Sequence, residues 1–169
     1  MAEAFRGEID TKVDGKARVS IPASFRRVLE ADDPDRPEAS RPRVYMVYGG
    51  KTRNFVECYS KAGADRLAEM IEEMEIGSKA RDRAEREMIS RSVMIEIEPD
   101  GRIVLPPKVR AKLGYGDSES TSGTEVTFVG TSDRFKLYRA EVYYAEDEDD
   151  DDDADVDPLA LIGRARRAG

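Results

Sequence analysis

The chain of 169 residues lacks histidine and tryptophan and has one cysteine, Cys58. Without histidine it has no imidazole for general base catalysis, and a lone cysteine can form neither an internal disulfide nor the cysteine and histidine clusters that bind zinc. No apolar run approaches the ~20 residues that a membrane span needs, and the N-terminal stretch MAEAFRGEID has no apolar segment typical of a signal peptide. The single cysteine fits a reducing cytoplasm, and only carboxylate chemistry would remain for an enzyme. We predict a cytoplasmic protein that is not an enzyme and uses no cofactor or metal.

Basic residues are fewer than acidic ones, 28 against 36, but the acidic excess is confined to the C-terminal part. The stretch EDEDDDDDADVD, residues 146–157, contains ten acids and no base, and three arginines follow it. Residues 1–145 therefore carry 26 acids and 25 bases and are almost neutral. Because this acidic stretch buries too little apolar surface to fold, we predict a disordered tail over 146–169. Within the tail, Asp157 and Pro158 could start a short helix.

One phrase occurs twice. The stretch DGKARVSIPASFRRVL starts at Asp14, and PDGRIVLPPKVRAKL starts at Pro99, so that Arg18 corresponds to Arg102, 84 positions later. Farther on, RVYMVYGGKTRNFVECYSKAG parallels EVTFVGTSDRFKLYRAEV, and each of these reads as a β-hairpin leading into a helix. We interpret the chain as two copies of one unit of roughly 70 residues, placed at 1–76 and 77–145 and followed by the tail 146–169.

Each copy has the same predicted order of elements. Two strands flank an Asp-Gly turn, a helix starts at the following proline (Pro22 in the first copy), and a hairpin comes next. Between the copies, residues 62–92 are predicted to form two helices separated at Gly77. The expected fold is therefore mainly β with flanking helices, an α+β class.

The basic residues of the repeated phrase are the candidate binding residues. Arginine can pair with guanine O6 and N7 or fork onto a phosphate, and the Asp14 carboxylate can fix the rotamer of Arg18. Basic neighbours can neutralise phosphates and release counterions; they are Lys16, Arg26 and Arg27 in the first copy and Lys108 and Arg110 beside Arg102 in the second. The alternative is structural: Asp14 and Arg18 would only brace the turn, and Arg26 and Arg110 would cap strand ends.

The repeated phrase resembles the AbrB/MazE swapped-hairpin DNA-binding unit, and two fused copies with helices between them resemble the MraZ family of bacterial transcriptional regulators. The family marks each unit with Asp-x-x-x-Arg, which here runs from Asp14 to Arg18. In the second copy Glu98 stands at the aspartate position, and Asp100 is the candidate to supply the carboxylate. The first copy also has Ala17 where glycine is common, so Gly15 is expected to take the unusual backbone angle.

The resemblance implies a double-split β-barrel of two AbrB-like repeats related by a pseudo-two-fold axis. It also implies a sequence-specific, nucleoid-associated DNA-binding regulator of its own cell-division and cell-wall gene cluster. The expected assembly is a ring homo-oligomer that binds direct repeats of double-stranded DNA upstream of its own operon. No membrane and no small-molecule substrate are expected.

Two other functions remain to be weighed. An antitoxin-like module that holds a partner protein would need a long C-terminal segment studded with apolar residues, and the residues after Tyr144 provide few of them. A phosphoryl hydrolase with Mg²⁺ bound at the aspartate run would need ligands in fixed positions, which a disordered run does not offer.

Overall fold

The computed structural model describes residues 3–38, 40–149 and 156–168. The strands are β1 Glu8–Lys12, β2 Arg18–Ser20, β3 Arg43–Val47, β4 Val56–Tyr59, β5 Ser92–Glu96, β6 Arg102–Val104, β7 Glu125–Gly130 and β8 Phe135–Arg139. The helices are α1 Ala23–Ala31, α2 Lys61–Glu72, α3 Lys79–Ala84, α4 Pro107–Lys112, α5 Ala140–Asp149 and α6 Pro158–Ala168. A π-helical segment, Glu85–Ser90, continues α3. Within the described ranges, the helices are too short or too polar to cross a membrane.

The strands form an antiparallel sheet of six and a separate ribbon of two. The order in the sheet is β1-β7-β8-β4-β3-β5, and the ribbon pairs β2 with β6. The α+β class is therefore confirmed, whereas the expectation of a mainly β fold is not, because the helices contain more of the described residues than the strands do. The edge strands β1 and β5 do not pair with each other, so the described strands make no closed hydrogen-bonded barrel, and the double-split barrel stays a prediction.

The two copies interleave throughout the sheet. Strand β1 of the first copy pairs with β7 of the second, and β5 of the second pairs with β3 of the first. The order reads the same from either edge once the copies are exchanged. In the ribbon Val19 lies opposite Ile103, its counterpart 84 residues later, and Glu57 lies opposite Lys136 at the centre of the sheet.

One hydrophobic core lies between the sheet and the ribbon. Phenylalanines from both copies meet in it with ring centroids 5.0–6.3 Å apart: Phe5, Phe25, Phe128 and Phe135. Val19 and Ile103 of the ribbon and Val109 of α4 are buried in the same cluster. Because the copies share this core, neither completes a core by itself.

Local chemistry sets the helix starts as the sequence predicts. Pro22 precedes α1, and α4 begins at Pro107, where a missing N–H costs nothing. The two helices of the linker between the copies, α2 and α3, are capped by the side chains of Ser60 and Ser78. Each side chain accepts a hydrogen bond of 3.1 Å from a backbone amide. The two predicted linker helices are confirmed, and the π-helical segment was not predicted.

The C-terminal part differs from the expectation at its first residues. Helix α5 continues to Asp149, across the predicted boundary after residue 145. Its tyrosines hold it against β1, because the hydroxyls of Tyr143 and Tyr144 donate hydrogen bonds to Glu8 (2.5 Å) and Asp10 (2.9 Å). Helix α6 starts at Pro158 with Asp157 accepting from the Leu159 amide, as the sequence suggests. Residues 150–155 of the acidic run lie outside the described residues.

Candidate nucleic-acid interface

The ribbon of β2 and β6 presents one polar face outward. Arg18 lies opposite Val104 and Ser20 opposite Arg102, while the Val19–Ile103 pair between them is 99% buried. Side chains alternate along a strand, so these four residues share the outward face. The side chains of Arg18 and Arg102 are 36% and 43% exposed. The repeat thus places its two motif arginines on one two-stranded surface.

Asp14 orients Arg18. Its Oδ1 accepts hydrogen bonds from the backbone amides of Lys16 (2.9 Å) and Arg18 (2.8 Å), and its Oδ2 accepts one from Arg18 Nε (2.7 Å). These bonds, the Arg18 amide foremost, lower the pKa of Asp14 below its ordinary value. In the described part of the chain the terminal nitrogens of Arg18 make no hydrogen bond, so their donors face outward. The Asp14 carboxylate therefore orients the guanidinium through Nε and leaves the two terminal nitrogens of Arg18 available as donors.

The second copy uses a different carboxylate. Asp100 Oδ1 accepts a hydrogen bond from the Arg102 amide (3.1 Å), and Asp100 Oδ2 lies 3.7 Å from Arg102 Nε. Glu98, at the motif position, instead pairs with Arg41 at 3.1 Å. Arg102 Nη1 also lies 3.9 Å from Asp14 Oδ2, so both arginines approach one carboxylate. The longer distances leave Arg102 less tightly held than Arg18.

The turn before each arginine has the same backbone. The Ala17 amide bonds to the Asp14 carbonyl (3.1 Å), and the Gly101 amide bonds to the Glu98 carbonyl (2.8 Å). The residue that follows such a turn takes a left-handed conformation before the strand resumes. That residue is Ala17 (φ 59°) in the first copy and Gly101 (φ 83°) in the second. The expectation that Gly15 takes the special angle is wrong, because the turn geometry requires it at Ala17.

The helix arginines lie against the ribbon. A Cβ built on Gly101 would be 1.4 Å from Arg26 Nη1, so the Arg26 guanidinium packs directly on the turn of the other copy. Arg110 Nη1 donates a hydrogen bond to the Leu105 carbonyl at 2.6 Å, immediately after β6. This contact is the strand-end cap that the sequence analysis gave as the structural alternative for Arg110. Arg110 therefore braces β6.

Three predicted binding residues stand free at the surface. Lys16, Arg27 and Lys108 are exposed, and in the described residues their side chains form no hydrogen bond or ion pair. Lys16 belongs to the turn that carries Arg18, while Arg27 and Lys108 lie on α1 and α4. Of the three, Lys16 is tied to Asp14 through its backbone amide, which donates a hydrogen bond to the carboxylate.

Comparison with known proteins identifies the family. No model of a known protein family matches the chain. A relative from Cereibacter sphaeroides is 51% identical over 96% of this chain and 97% of its own length. One from Ruegeria pomeroyi is 37% identical over 98% of both chains, and one from Parvibaculum lavamentivorans is 30% identical over 84% of this chain and 80% of its own. All three are named transcriptional regulator MraZ. The chain belongs to the MraZ family.

Two ribbon residues of this MraZ-family chain were missed in the sequence. Ser20 and Val104 share the outward face with the two arginines, and Val104 is a large apolar residue that is 45% exposed. The alternation of side chains along the strands ARVSI and GRIVLP would have placed both residues on this face. Each lies two positions after a motif arginine, and residues two apart in a strand point to the same side. The cross-copy pairing that brings all four together has no local signal.

Proposed function

We propose that the chain is a sequence-specific DNA-binding transcriptional regulator that reads DNA with the β2–β6 ribbon. The observation that carries this is the single outward face bearing Arg18 and Arg102, with Arg18 already oriented by Asp14. A major groove about 12 Å wide admits a two-stranded ribbon, and an arginine fork pairs with guanine O6 and N7. The names of the relatives agree with a regulator and not with an enzyme.

The surrounding cations supply the contacts that do not read sequence. Lys16, Arg27 and Lys108 are exposed and unpaired within the described residues, so they can meet phosphates on either side of the groove. Arg26 supports the Gly101 turn and can reach a phosphate from there. Arg110 contributes by holding the end of β6, and Asp100 by restraining Arg102.

The proposed fold and assembly follow the family resemblance. The sheet and ribbon would form a double-split barrel of two units, 1–76 and 77–145, about a pseudo-two-fold axis, which the interleaved strand order supports. A closed ring of such chains uses head-to-tail contacts. Large apolar side chains exposed on the linker and on β5 suit such contacts: Met70, Ile76, Ile89 and Met94. Light scattering that reports a monomer at micromolar concentration would contradict the ring.

Neighbouring subunits of a ring face the same way. Their ribbons would then meet direct repeats about one helical turn, ~10 bp, apart, rather than a palindrome. We propose that these repeats lie upstream of the protein's own gene, at the start of a cell-division and cell-wall cluster. A cytoplasmic, nucleoid-associated location follows from that target.

The direct test compares Arg18→Ala with the parent on a duplex taken from upstream of the gene. Arg66→Gln is the matched control, because Arg66 is exposed on α2 and pairs with no described residue. Fluorescence anisotropy should show that Arg18→Ala loses ~1–3 kcal/mol of binding free energy per engaged subunit and discriminates less against an unrelated duplex. If Arg18→Ala melts like the parent and binds both duplexes like the parent, then Asp14 and Arg18 only brace the turn.

A further inference from the structure

A second basic site lies in the linker between the copies. A cleft of about 500 Å³ is formed by the 49–53 loop, α3, the π-helical segment and the start of β5. Its cations come from both sides of the cleft: Lys51, Lys79, Arg83, Arg86 and Arg91. The cleft is at the N-terminal end of β5, whereas the Asp100 turn follows the C-terminal end of that strand. It is therefore separate from the ribbon that carries Arg18 and Arg102.

The charge in this cleft is not balanced by the protein. It contains two carboxylates, Asp82 and Glu87, against five cations. Glu87 is engaged by Arg91 Nη1 at 3.1 Å and by the backbone amide of Gly50. The other four cations form no ion pair or side-chain hydrogen bond in the described parts of the chain. In a protein of net charge −8, a concave site with three uncompensated positive charges is a place for an anion.

The walls of the cleft are held in place. A Cβ on Gly49 would lie 1.9 Å from the Glu87 carbonyl oxygen, so the loop is pressed against the π-helical segment. Lys112 of α4 donates a hydrogen bond to the Gly50 carbonyl at 2.7 Å and fixes the loop from its other side. π-Helical turns inside helices occur frequently at functional sites. The cations thus project from a fixed scaffold, which reduces the entropy lost on binding.

We propose that this cleft binds the phosphate groups of a small polyphosphorylated molecule, such as a nucleoside diphosphate or triphosphate. Arginine and lysine are the side chains that bind phosphate, by forked hydrogen bonds and by point charge. The volume suits a small ligand, for which clefts of roughly 300–1,000 Å³ are usual. The phosphates of a DNA backbone have the same chemistry, and the experiment separates the two sources.

The experiment titrates sodium tripolyphosphate into the full-length chain by calorimetry at constant ionic strength. The variant Arg83→Gln/Arg86→Gln removes two cations whose side chains form no hydrogen bond or ion pair with the described residues, so the fold should be retained. We expect one site per chain in the parent and at least about tenfold weaker binding in the double variant. Arg66→Gln, outside the cleft, and Arg18→Ala, on the ribbon, should bind tripolyphosphate as the parent does. Duplex DNA affinity of the double variant should equal that of the parent.

Five results would overturn the proposal. The parent could fail to bind tripolyphosphate, or the double variant could bind it equally well. Arg18→Ala could abolish the binding, which would place the anion on the ribbon. The double variant could lose duplex affinity as strongly as tripolyphosphate affinity, which would make the cleft part of the DNA footprint. Finally, light scattering could show that the double variant changes the assembly, which would make the cleft a subunit contact.

Discussion

The Asp14 carboxylate links the stability of the turn to the state of Arg18. Its pKa is lowered by hydrogen bonds from the Arg18 amide and guanidinium and from the Lys16 amide. Because the pKa of Asp14 is lower in the folded state, its hydrogen bonds stabilise the fold fully above the pKa of the unfolded chain, about 3.9. This stabilisation is lost as the pH falls through the pKa of the folded state. Asp14 should therefore stay ionised, and Arg18 oriented, at every pH above about 5.

The first prediction concerns this pH dependence. The chain has no histidine, the side chain that titrates near neutral pH, and burial raises the pKa of the Cys58 thiol well above its ordinary value. DNA affinity measured by anisotropy at constant ionic strength should be flat between about pH 5.5 and 8. A titration step near pH 6.5 would show that a group outside the Asp14 cluster controls binding.

A second prediction at the residue scale concerns Val104. It is exposed on the outward face directly opposite Arg18, where the other copy has Ser20. An apolar side chain in the major groove can contact the thymine methyl group, which is worth about 0.8 kcal/mol, or roughly fourfold in affinity. Val104→Ser should weaken binding by about that factor on the upstream duplex.

Deoxyuridine provides the check on Val104, because it lacks the methyl group. Replacing thymidine by deoxyuridine in the duplex should weaken the parent and leave Val104→Ser unaffected. If both proteins lose the same affinity, Val104 does not contact the methyl group. The weaker binding and lower discrimination expected of Arg18→Ala test the reading surface separately, so the two ideas can fail independently.

At the scale of elements, the two turns are equivalent in backbone but not in side chain. Ala17 adopts φ 59° with its methyl group buried, while Gly101 adopts φ 83° beneath the Arg26 guanidinium. A left-handed conformation costs a non-glycine residue roughly 1–2 kcal/mol. At Ala17 this cost is offset in part by the buried methyl group, about 0.8 kcal/mol.

The third prediction follows from that difference. Ala17→Gly should change the free energy of unfolding by less than about 1 kcal/mol, because the relieved strain and the lost methyl group nearly cancel. Gly101→Ala should lower the free energy of unfolding by more than about 1 kcal/mol. The new Cβ would lie 1.4 Å from Arg26 Nη1, and the alanine would also have to adopt the strained left-handed angle. Denaturant melts at equal protein concentration compare the two. If Gly101→Ala loses no more than the roughly 1–2 kcal/mol that the left-handed angle costs, Arg26 moves away at no cost.

The elements show how far the sequence could predict this molecule. The turn at Asp14 and the helix start at Pro22 follow from local residue chemistry, and the α+β class follows from the order of strands and helices along the chain. The pairing of β1 with β7 could not be predicted, because the alternation of polar and apolar residues along a strand does not indicate which strand it pairs with. The basic cleft was missed for the same reason: Lys51 and Arg83 come from distant segments.

At the scale of the whole molecule, the two copies depend on each other. Strand β1 pairs only with β7, and β2 only with β6, among the described strands. A fragment of residues 1–76 would keep β1 to β4 and lose every partner of β1 and β2. Its unpaired strand edges and half of the core would face water, which is unfavourable for a monomer.

The fourth prediction is that this fragment never forms a folded monomer. It should be either unfolded or a dimer in which a second copy supplies the missing strands, since the order of the sheet is the same from both edges. Circular dichroism with light scattering distinguishes these states. A cooperative melt from a monomeric fragment would show that the first copy is self-sufficient.

The last prediction concerns the acidic run and the ribbon. Six of its ten acids lie in residues 150–157, tethered to the end of α5. Tethering gives these carboxylates a high effective concentration near Arg18 and Arg102, where they would compete with DNA phosphates. Added salt screens this competition over a Debye length of about 10 Å at 0.1 M. Deleting residues 150–169 should thus tighten DNA binding most at low salt, with a gain that shrinks as salt rises.

The cut belongs after Asp149, because Glu146 hydrogen-bonds Tyr138 and the α5 tyrosines hold the helix on β1. A matched control of full length carries asparagine at 150–153, 155 and 157, which removes the charge and keeps the tether. In anisotropy across a salt series, the control should follow the truncated protein if charge causes the competition. If the parent, control and truncated protein bind equally at the lowest salt, the run only aids solubility, and poorer solubility of the truncated protein would be its one effect.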